Sequence, residues 1–291
     1  MNGACGFGVA LGGGGGRAFA HLGVLSRLAE AGLRPEFISG SSMGAVLGAI
    51  YASRPVGEKG MAEILAYFRR SPFFRRPAKG DGLHRRPGLA GGLIRKLATA
   101  GIASAISFRL GLRRANPVEK AIEDFFGAGL TFADLPLPFG VNAVNLTSGE
   151  VEDFISGPLA PALKAGVAVG LLFAPFAWRG AQYADAAPIC PLPVGLCRRL
   201  GAQTVLAVDI SVPLENPLAC QNGFDVVRRL MSIQGERLNQ AETRGADAIL
   251  KIDVSDIFWG DFSRIDEAFM RGRAAAGAAL GRILAATGKT A

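Results

Sequence analysis

Two glycine-rich stretches near the N-terminus carry residues that could do chemistry. Gly40-Ser41-Ser42-Met43-Gly44 is a G-x-S-x-G between an apolar run that reads as a strand and one that reads as a helix. That is the context of a nucleophile elbow. The strand-to-helix turn is sharp, side chains at Gly40 and Gly44 would collide with neighbouring backbone, and Ser42 projects at the top of a sheet near a helix N-terminus. One strand–helix unit earlier, Gly12, Gly13, Gly14, Gly15 and Gly16 are consecutive and Arg17 follows. Bare backbone at such a place turns N–H groups toward an anion. A bound phosphate and the oxyanion of an acyl-transfer intermediate both fit. The Gly-Lys-Thr at 288–290 lacks the spacing and the following helix of a phosphate-binding P-loop. Gly13-x-Gly15-x-x-Ala18 matches a loose dinucleotide fingerprint, with Glu36 near the position of a ribose-binding acid. A glycine loop beside the elbow at one sheet edge suits an oxyanion hole better.

A serine nucleophile needs a base. A Ser-His-Asp hydrolase of the ordinary order places its His after the acid, and no His follows His84 here. His21 falls on the helix after the glycine loop and reads as a packing residue. His84, flanked by Arg85 and Arg86, reads as a surface residue. The base is therefore expected to be a carboxylate acting on Ser42 directly. Asp185 stands out, in Tyr183-Ala184-Asp185-Ala186-Ala187, a strand end with only small neighbours that lets the acid approach other backbone closely. Asp209 and Asp253, at or just after strand ends, read as caps or turn formers.

The elements that must position these groups follow from apolar patterning. Strands are expected at 5–11, 36–41, 141–145, 151–155, 204–209 and 249–253, and helices at 18–31, 43–53, 118–126, 224–244 and 264–286. Strands that alternate with helices and are apolar throughout imply a largely parallel sheet covered on both faces, an α/β fold. Residues 54–117, rich in Pro, Gly and Arg, interrupt the alternation and read as an insertion in a single domain spanning 1–291.

Composition excludes several classes. Apolar residues are 49% and charged residues 19%, which rules out a disordered chain. Two His and four Cys without a C-x-x-C argue against a zinc site and a disulfide framework, and the thiols read as reduced, in the cytoplasm. Met1-Asn2-Gly3 supplies neither the basic start nor the cleavage site of a secretory signal. The longest core-like apolar run, 165–178, is too short to span a bilayer. The charge is concentrated: residues 69–114 hold twelve Lys/Arg against one acid, Asp81, whereas the rest of the chain is slightly acidic. With Phe73, Phe74 and Phe108 inside that segment and Phe68 just before it, contact with an anionic membrane surface is expected. Nucleic acid is a poor partner, because no stacking or helix-turn-helix motif accompanies the charge.

These residues resemble the patatin-like phospholipases, in particular short bacterial members related to the catalytic domain of neuropathy target esterase. The family's glycine motif is similar to Gly12–Gly16 with Arg17 and Ala18. Its elbow is similar to residues 40–44, and its Asp-Gly-Gly or Asp-Gly-Ala to Asp185-Ala186-Ala187, with Pro-x-Pro following at 191–193. Similarity extends to 132–136, 145–150 and 258–262. The resemblance implies a three-layer α/β/α sandwich and a Ser42–Asp185 dyad. It implies an oxyanion hole from the N–H groups of Gly13, Gly14 and Gly15 with that of Met43, and hydrolysis of lipid acyl esters without metal or organic cofactor. Gly16, Arg17, Gly40, Gly44, Ala186 and Ala187 support the motifs. Ala18 and Ala186 replace family glycines, and Gly166 and Gly170 stand for the Ser and Pro of an Ala-Ser-x-Ala-x-Pro segment. A methyl at Ala186 would displace Asp185 if the backbone there requires positive φ. A lipid-binding protein with little hydrolysis, or a lipid acyltransferase using the same dyad, are the alternatives. The expected location is the cytoplasm, peripheral at the inner face of the membrane.

Overall fold

In the computed structural model the described residues are 6–55, 58–72, 74, 111, 116–214, 220 and 223–288. Strands are β1 (Phe7–Leu11), β2 (Phe37–Gly40), β3 (Phe139–Asn145), β4 (Val151–Phe154), β5 (Phe176–Trp178), β6 (Ala181–Asp185), β7 (Thr204–Asp209) and β8 (Ala248–Lys251). Helices are α1 (Phe19–Glu30), α2 (Met43–Ser53), α3 (Glu58–Arg70), α4 (Pro117–Phe126), α5 (Leu159–Gly166), α6 (Val194–Arg199), α7 (Gly223–Thr243) and α8 (Ile265–Thr287). The sheet runs β5-β6-β3-β2-β1-β7-β8, with β4 also paired to β3. The five strands from β3 to β8 along this order are parallel, whereas β4, β5 and β6 join antiparallel. The sheet is therefore mixed, with its parallel half at the glycine loop and elbow.

Side chains alternate across a strand, and β1 shows the result. Phe7, Val9 and Leu11 enter the larger core cluster under α1, α2 and α8. Ala10 enters a separate cluster with Leu192, Val194 and Cys197, where α6 packs on the opposite face. Two cores on two faces make the three-layer α/β/α sandwich.

The stretch 54–117 is not all insertion. Its first part is α3, whose Met61, Ile64, Leu65 and Phe68 recur at helical spacing and are buried in the larger core. Phe74 is buried there too, with its ring centroid 5.0 Å from that of Phe68. The apolar spacing of α3 is diluted by the Arg, Pro and Gly that follow, which hides it in the composition. Phe68 and Phe74 are thus core residues, not membrane anchors. Phe73, Phe108, His84 and most of the basic segment lie outside the described residues. No helix among the described residues is long and apolar enough to cross a membrane.

Candidate active site

Register brings the two halves of the site together. Leu11 pairs with Gly40, so the glycine loop and the elbow leave β1 and β2 at the same level. Gly40 pairs with Val141 of β3, and two residues further along β3, Ala143 pairs with Asp185. Two residues beyond Gly40 is Ser42. β4 pairs with β3 across both registers, so β2 and β6 follow one another along the other side of β3, and the serine and the aspartate meet at the same level there.

The elbow is tight. Ser42 has φ 53° and ψ −130°, a conformation that non-glycine residues rarely adopt and that marks functional strain. A Cβ at Gly40 would sit 2.5 Å from Ala45 Cα, and one at Gly44 would sit 2.5 Å from the Gly12 carbonyl oxygen. Both positions need glycine because backbone occupies the space. Ser41 is fully buried, and its hydroxyl has no hydrogen-bond partner.

Asp185 ends β6. The Ser42 hydroxyl donates to its Oδ2 at 2.5 Å, and the Ala187 N–H donates to its Oδ1 at 2.8 Å. Its own N–H donates to the Ala168 carbonyl at 3.0 Å, which ties the acid to the segment 165–170. Burial raises the carboxyl to about pKa 6, partly offset by the hydrogen bonds from Ser42 and Ala187. Ala186 is not among the residues with positive φ, so its methyl is accommodated in the core without displacing Asp185.

The glycine loop is held from outside. The Gly12 N–H donates to the Val208 carbonyl at 3.2 Å, the Gly13 N–H to Pro191 at 2.9 Å, and the Gly16 N–H to Trp259 at 2.7 Å. Arg17 Nε donates to the Ile257 carbonyl at 2.7 Å. The Gly14 and Gly15 N–H groups make none of these bonds, nor does that of Met43 at the first position of α2. Gly13 therefore differs from its expected role: its N–H belongs to Pro191, and the available donors are Gly14, Gly15 and Met43. Gly15 has φ 56°, and a Cβ there would lie 2.1 Å from the Trp259 oxygen.

Beside Ser42 is a cavity of about 220 Å³, lined by Gly15, Ser42 and Met43 and by apolar side chains such as Val118, Val167, Leu172, Phe173, Phe258 and Phe262. Asn116 also lines it, with its amide donating to the Val167 carbonyl and accepting from the Val118 N–H. The sequence reading had not placed 116–118 in the site. The signal was local: Asn116 caps α4 and Pro117 occupies its first turn, which fixes a helix start but not what it faces.

The other candidates lie apart. Glu36 bonds the Phe7 N–H at the beginning of β1, the far end of the strand from the glycine loop, which removes the dinucleotide reading. Asp209 and Asp253 accept from the backbone N–H groups two residues on, at Ser211 and Ser255, as turn formers do. His21 is buried against the loop, with Nε2 2.7 Å from the Gly12 oxygen.

The chain is similar to several known proteins over most of its length. An NTE family protein of Mycobacterium tuberculosis is 30% identical over 203 residues, covering 70% of this chain and 48% of that protein. The lysophospholipase NTE1 of Mycosarcoma maydis is 29% identical over 203 residues, 70% of this chain and 10% of the fungal protein. The chain thus spans about half the length of the bacterial relative and a tenth of the fungal one. VipD of Legionella pneumophila aligns over 94% of this chain and 66% of its own, with a TM-score of 0.45 and 14% identity. A profile of patatin-like phospholipases matches residues 9–197, which include the glycine loop, the elbow and Asp185, and the chain belongs to the patatin-like phospholipase family.

Proposed function

We propose that this chain is a serine hydrolase of lipid acyl esters, of phospholipase or lysophospholipase type, working through a Ser42–Asp185 dyad. The observation that carries the reading is the Ser42–Asp185 hydrogen bond at a strained elbow beside an apolar cavity. Ser42 Oγ attacks the ester carbonyl as its proton passes to Asp185 Oδ2. Negative charge on the carbonyl oxygen is held by the N–H groups of Gly14, Gly15 and Met43. Collapse of the tetrahedral intermediate breaks the bond to the alcohol, which leaves with the proton from Asp185. Water then attacks the acyl-serine, giving its proton to Asp185, and the acid departs as Ser42 recovers its hydrogen. A carboxyl raised to about 6 is ionised at neutral pH yet more basic than an ordinary aspartate, which suits a base.

The test is Ser42→Ala beside wild type, with a chromogenic short-chain ester and a fluorophosphonate probe. Loss of nearly all turnover in a folded variant, with labelling of wild type at Ser42 alone, is the expected result. Label at Ser41, or label that survives the substitution, overturns the assignment. Labelling at Ser42 with transfer of the acyl group to an added alcohol in place of hydrolysis would move the chain to the acyltransferases.

We also propose that the substrate is met in the cytoplasm at an anionic membrane surface, supported by the charge of residues 69–114. Arg69 pairs with Asp266 on α8, so Arg70, Arg75 and Arg76 are the better probes. Reversing these three to Glu should weaken sedimentation with phosphatidylglycerol vesicles and spare hydrolysis of a soluble ester. Equal binding of wild type to zwitterionic and anionic vesicles at low and high salt rejects the electrostatic contact.

A further inference from the structure

We infer that His21 is a positioning residue of the oxyanion loop: its neutral imidazole holds the Gly12–Gly13 peptide so that the next two N–H groups face the reacting carbonyl. The inference rests on the mechanism proposed above and adds a residue to it.

A run of five glycines has no side chains to fix its peptide planes, and each plane can turn at low steric cost. Whatever orients the loop must bond it from elsewhere. Among the described residues, His21 is the one side chain whose hydrogen bond reaches a backbone group of the five glycines. A carbonyl oxygen only accepts, so the ring nitrogen 2.7 Å from Gly12 O carries the hydrogen. The tautomer is Nε2–H, and Nδ1 is a bare acceptor. Nδ1 is buried with no partner. Protonating it would add a donor with no acceptor in a fully buried ring, and burial accordingly holds the imidazole down to about 4. His21 is therefore neutral wherever the dyad works and is not the base.

An unpaired buried nitrogen is costly, and a phenylalanine or leucine would fill the same space without it. The compensation lies at the other nitrogen. The Gly12 carbonyl is itself packed where a Cβ on Gly44 would strike it, so it sits between His21 and the elbow. On the far side of the same peptide, the Gly13 N–H is bonded to Pro191. The plane is thus held at both ends, and the chain leaves it in a fixed direction for Gly14 and Gly15, whose N–H groups remain for the substrate. Release of the Gly12 end leaves a glycine peptide anchored at one end only. Loss of a single oxyanion donor lowers turnover by about 10²–10³, and misplacement by about 1 Å by about 10².

The experiment compares His21→Phe, His21→Met, His21→Gln and Ser42→Ala on a short-chain ester, with rates normalised to fluorophosphonate-titrated sites where label forms. Phe and Met fill space without a donor, and Gln supplies an N–H. The expected result is a fall in kcat of roughly 10- to 100-fold for Phe and Met with KM within about threefold of wild type, and recovery by Gln to within about fivefold. Wild-type kcat in the donorless variants, an equal loss with Gln, or an effect confined to KM overturns the inference. If Ser42→Ala is also active, the dyad reading fails as well; if it is dead, only the role of His21 fails. Should no donorless variant fold, the wild type decides. The chain has two His, so ¹⁵N-histidine NMR with His21→Gln as the assignment control resolves the ring. The Nε2–H tautomer between pH 5 and 8, with a shift of that proton when Ser42 is phosphonylated, is expected. A charged ring, the other tautomer, or a resonance unmoved by phosphonylation overturns it.

Discussion

The elbow and the glycine loop lie side by side and are built on opposite principles. The elbow is made locally. Gly40 and Gly44 are forced by backbone a few residues away or on the adjoining strand, and the strain at Ser42 is contained in one strand–turn–helix unit. The loop has no such local determination. It is held by carbonyls at 191, 208, 257 and 259, from segments that enter the fold far along the chain, and by the ring of His21 on the helix that follows it. A nucleophile can be specified by a short motif, because one side chain in one unusual conformation suffices. An oxyanion hole made of glycine N–H groups needs neighbours to tell each peptide which way to face.

That contrast can be broken first at the dyad. Asp185→Asn keeps the shape and removes the basicity, so turnover should fall by roughly 10²- to 10⁴-fold, measured as kcat on a soluble ester. In wild type, turnover should fall as pH drops through about 6, because a protonated Asp185 takes no proton from Ser42. A turnover profile flat from pH 8 to 5 would reject Asp185 as the base.

Gly15→Ala tests the loop and should come next. Its Cβ would meet the Trp259 oxygen at 2.1 Å, and its φ is 56°, so the loop or the 257–260 segment must move. A loss of about 10²-fold in kcat, larger than any change in KM, is expected for a displaced oxyanion donor. Gly14→Ala should cost less, on the order of tenfold. Its nearest neighbour at 2.5 Å is Cδ1 of Ile210, the far end of a side chain that can rotate, and its φ of 170° lies outside the left-handed region. If Gly14→Ala proves the more damaging of the two, the loop is not held by its contact with Trp259.

The smallest effect is on stability and has the opposite sign. The folded-state pKa of Asp185, about 6, lies above its ordinary value of 3.8. The folded protein binds this proton more tightly, so the group's contribution to stability falls as pH rises through that window. At pH 7 the buried carboxylate is a liability, and Asp185→Asn should raise Tm by a few degrees. The Ala187 N–H can still bond the amide oxygen, and the Ser42 hydroxyl can turn to accept from the amide nitrogen. The gain should vanish as pH falls to about 4. A lower Tm at pH 7 would mean that the carboxylate is stabilised by its surroundings.

Much of the scaffold was legible. The runs at β1, β2, β3 and β7 are mostly apolar because both faces of those strands are covered, and α2, α4, α7 and α8 carry long or well-capped patterns. The short elements were not. Helices α5 and α6 have eight and six residues, and β5 has three. Periodicity is not defined over so few residues, and these elements exist because the sheet and its neighbours hold them. Helix α3 has a clear apolar stripe that was obscured by the basic residues after it.

The sequence by itself singled out Ser42 as the candidate nucleophile, since G-x-S-x-G at a strand-to-helix junction is a local steric requirement. It also determined that no histidine could follow the acid, because none is present after His84. Small neighbours at a strand end singled out Asp185 among the late carboxylates, and the family resemblance pointed to the same residue. Only the tertiary structure decided how close that acid comes to Ser42, because the pairing of β3 with both β2 and β6 sets the distance. Only the tertiary structure decided which glycines keep a free N–H. Gly13, Gly14 and Gly15 are chemically identical, and nothing in their order distinguishes them. The difference is made by where the Pro191 carbonyl lands, which depends on the path of the chain from β6 to α6 across the edge of the sheet.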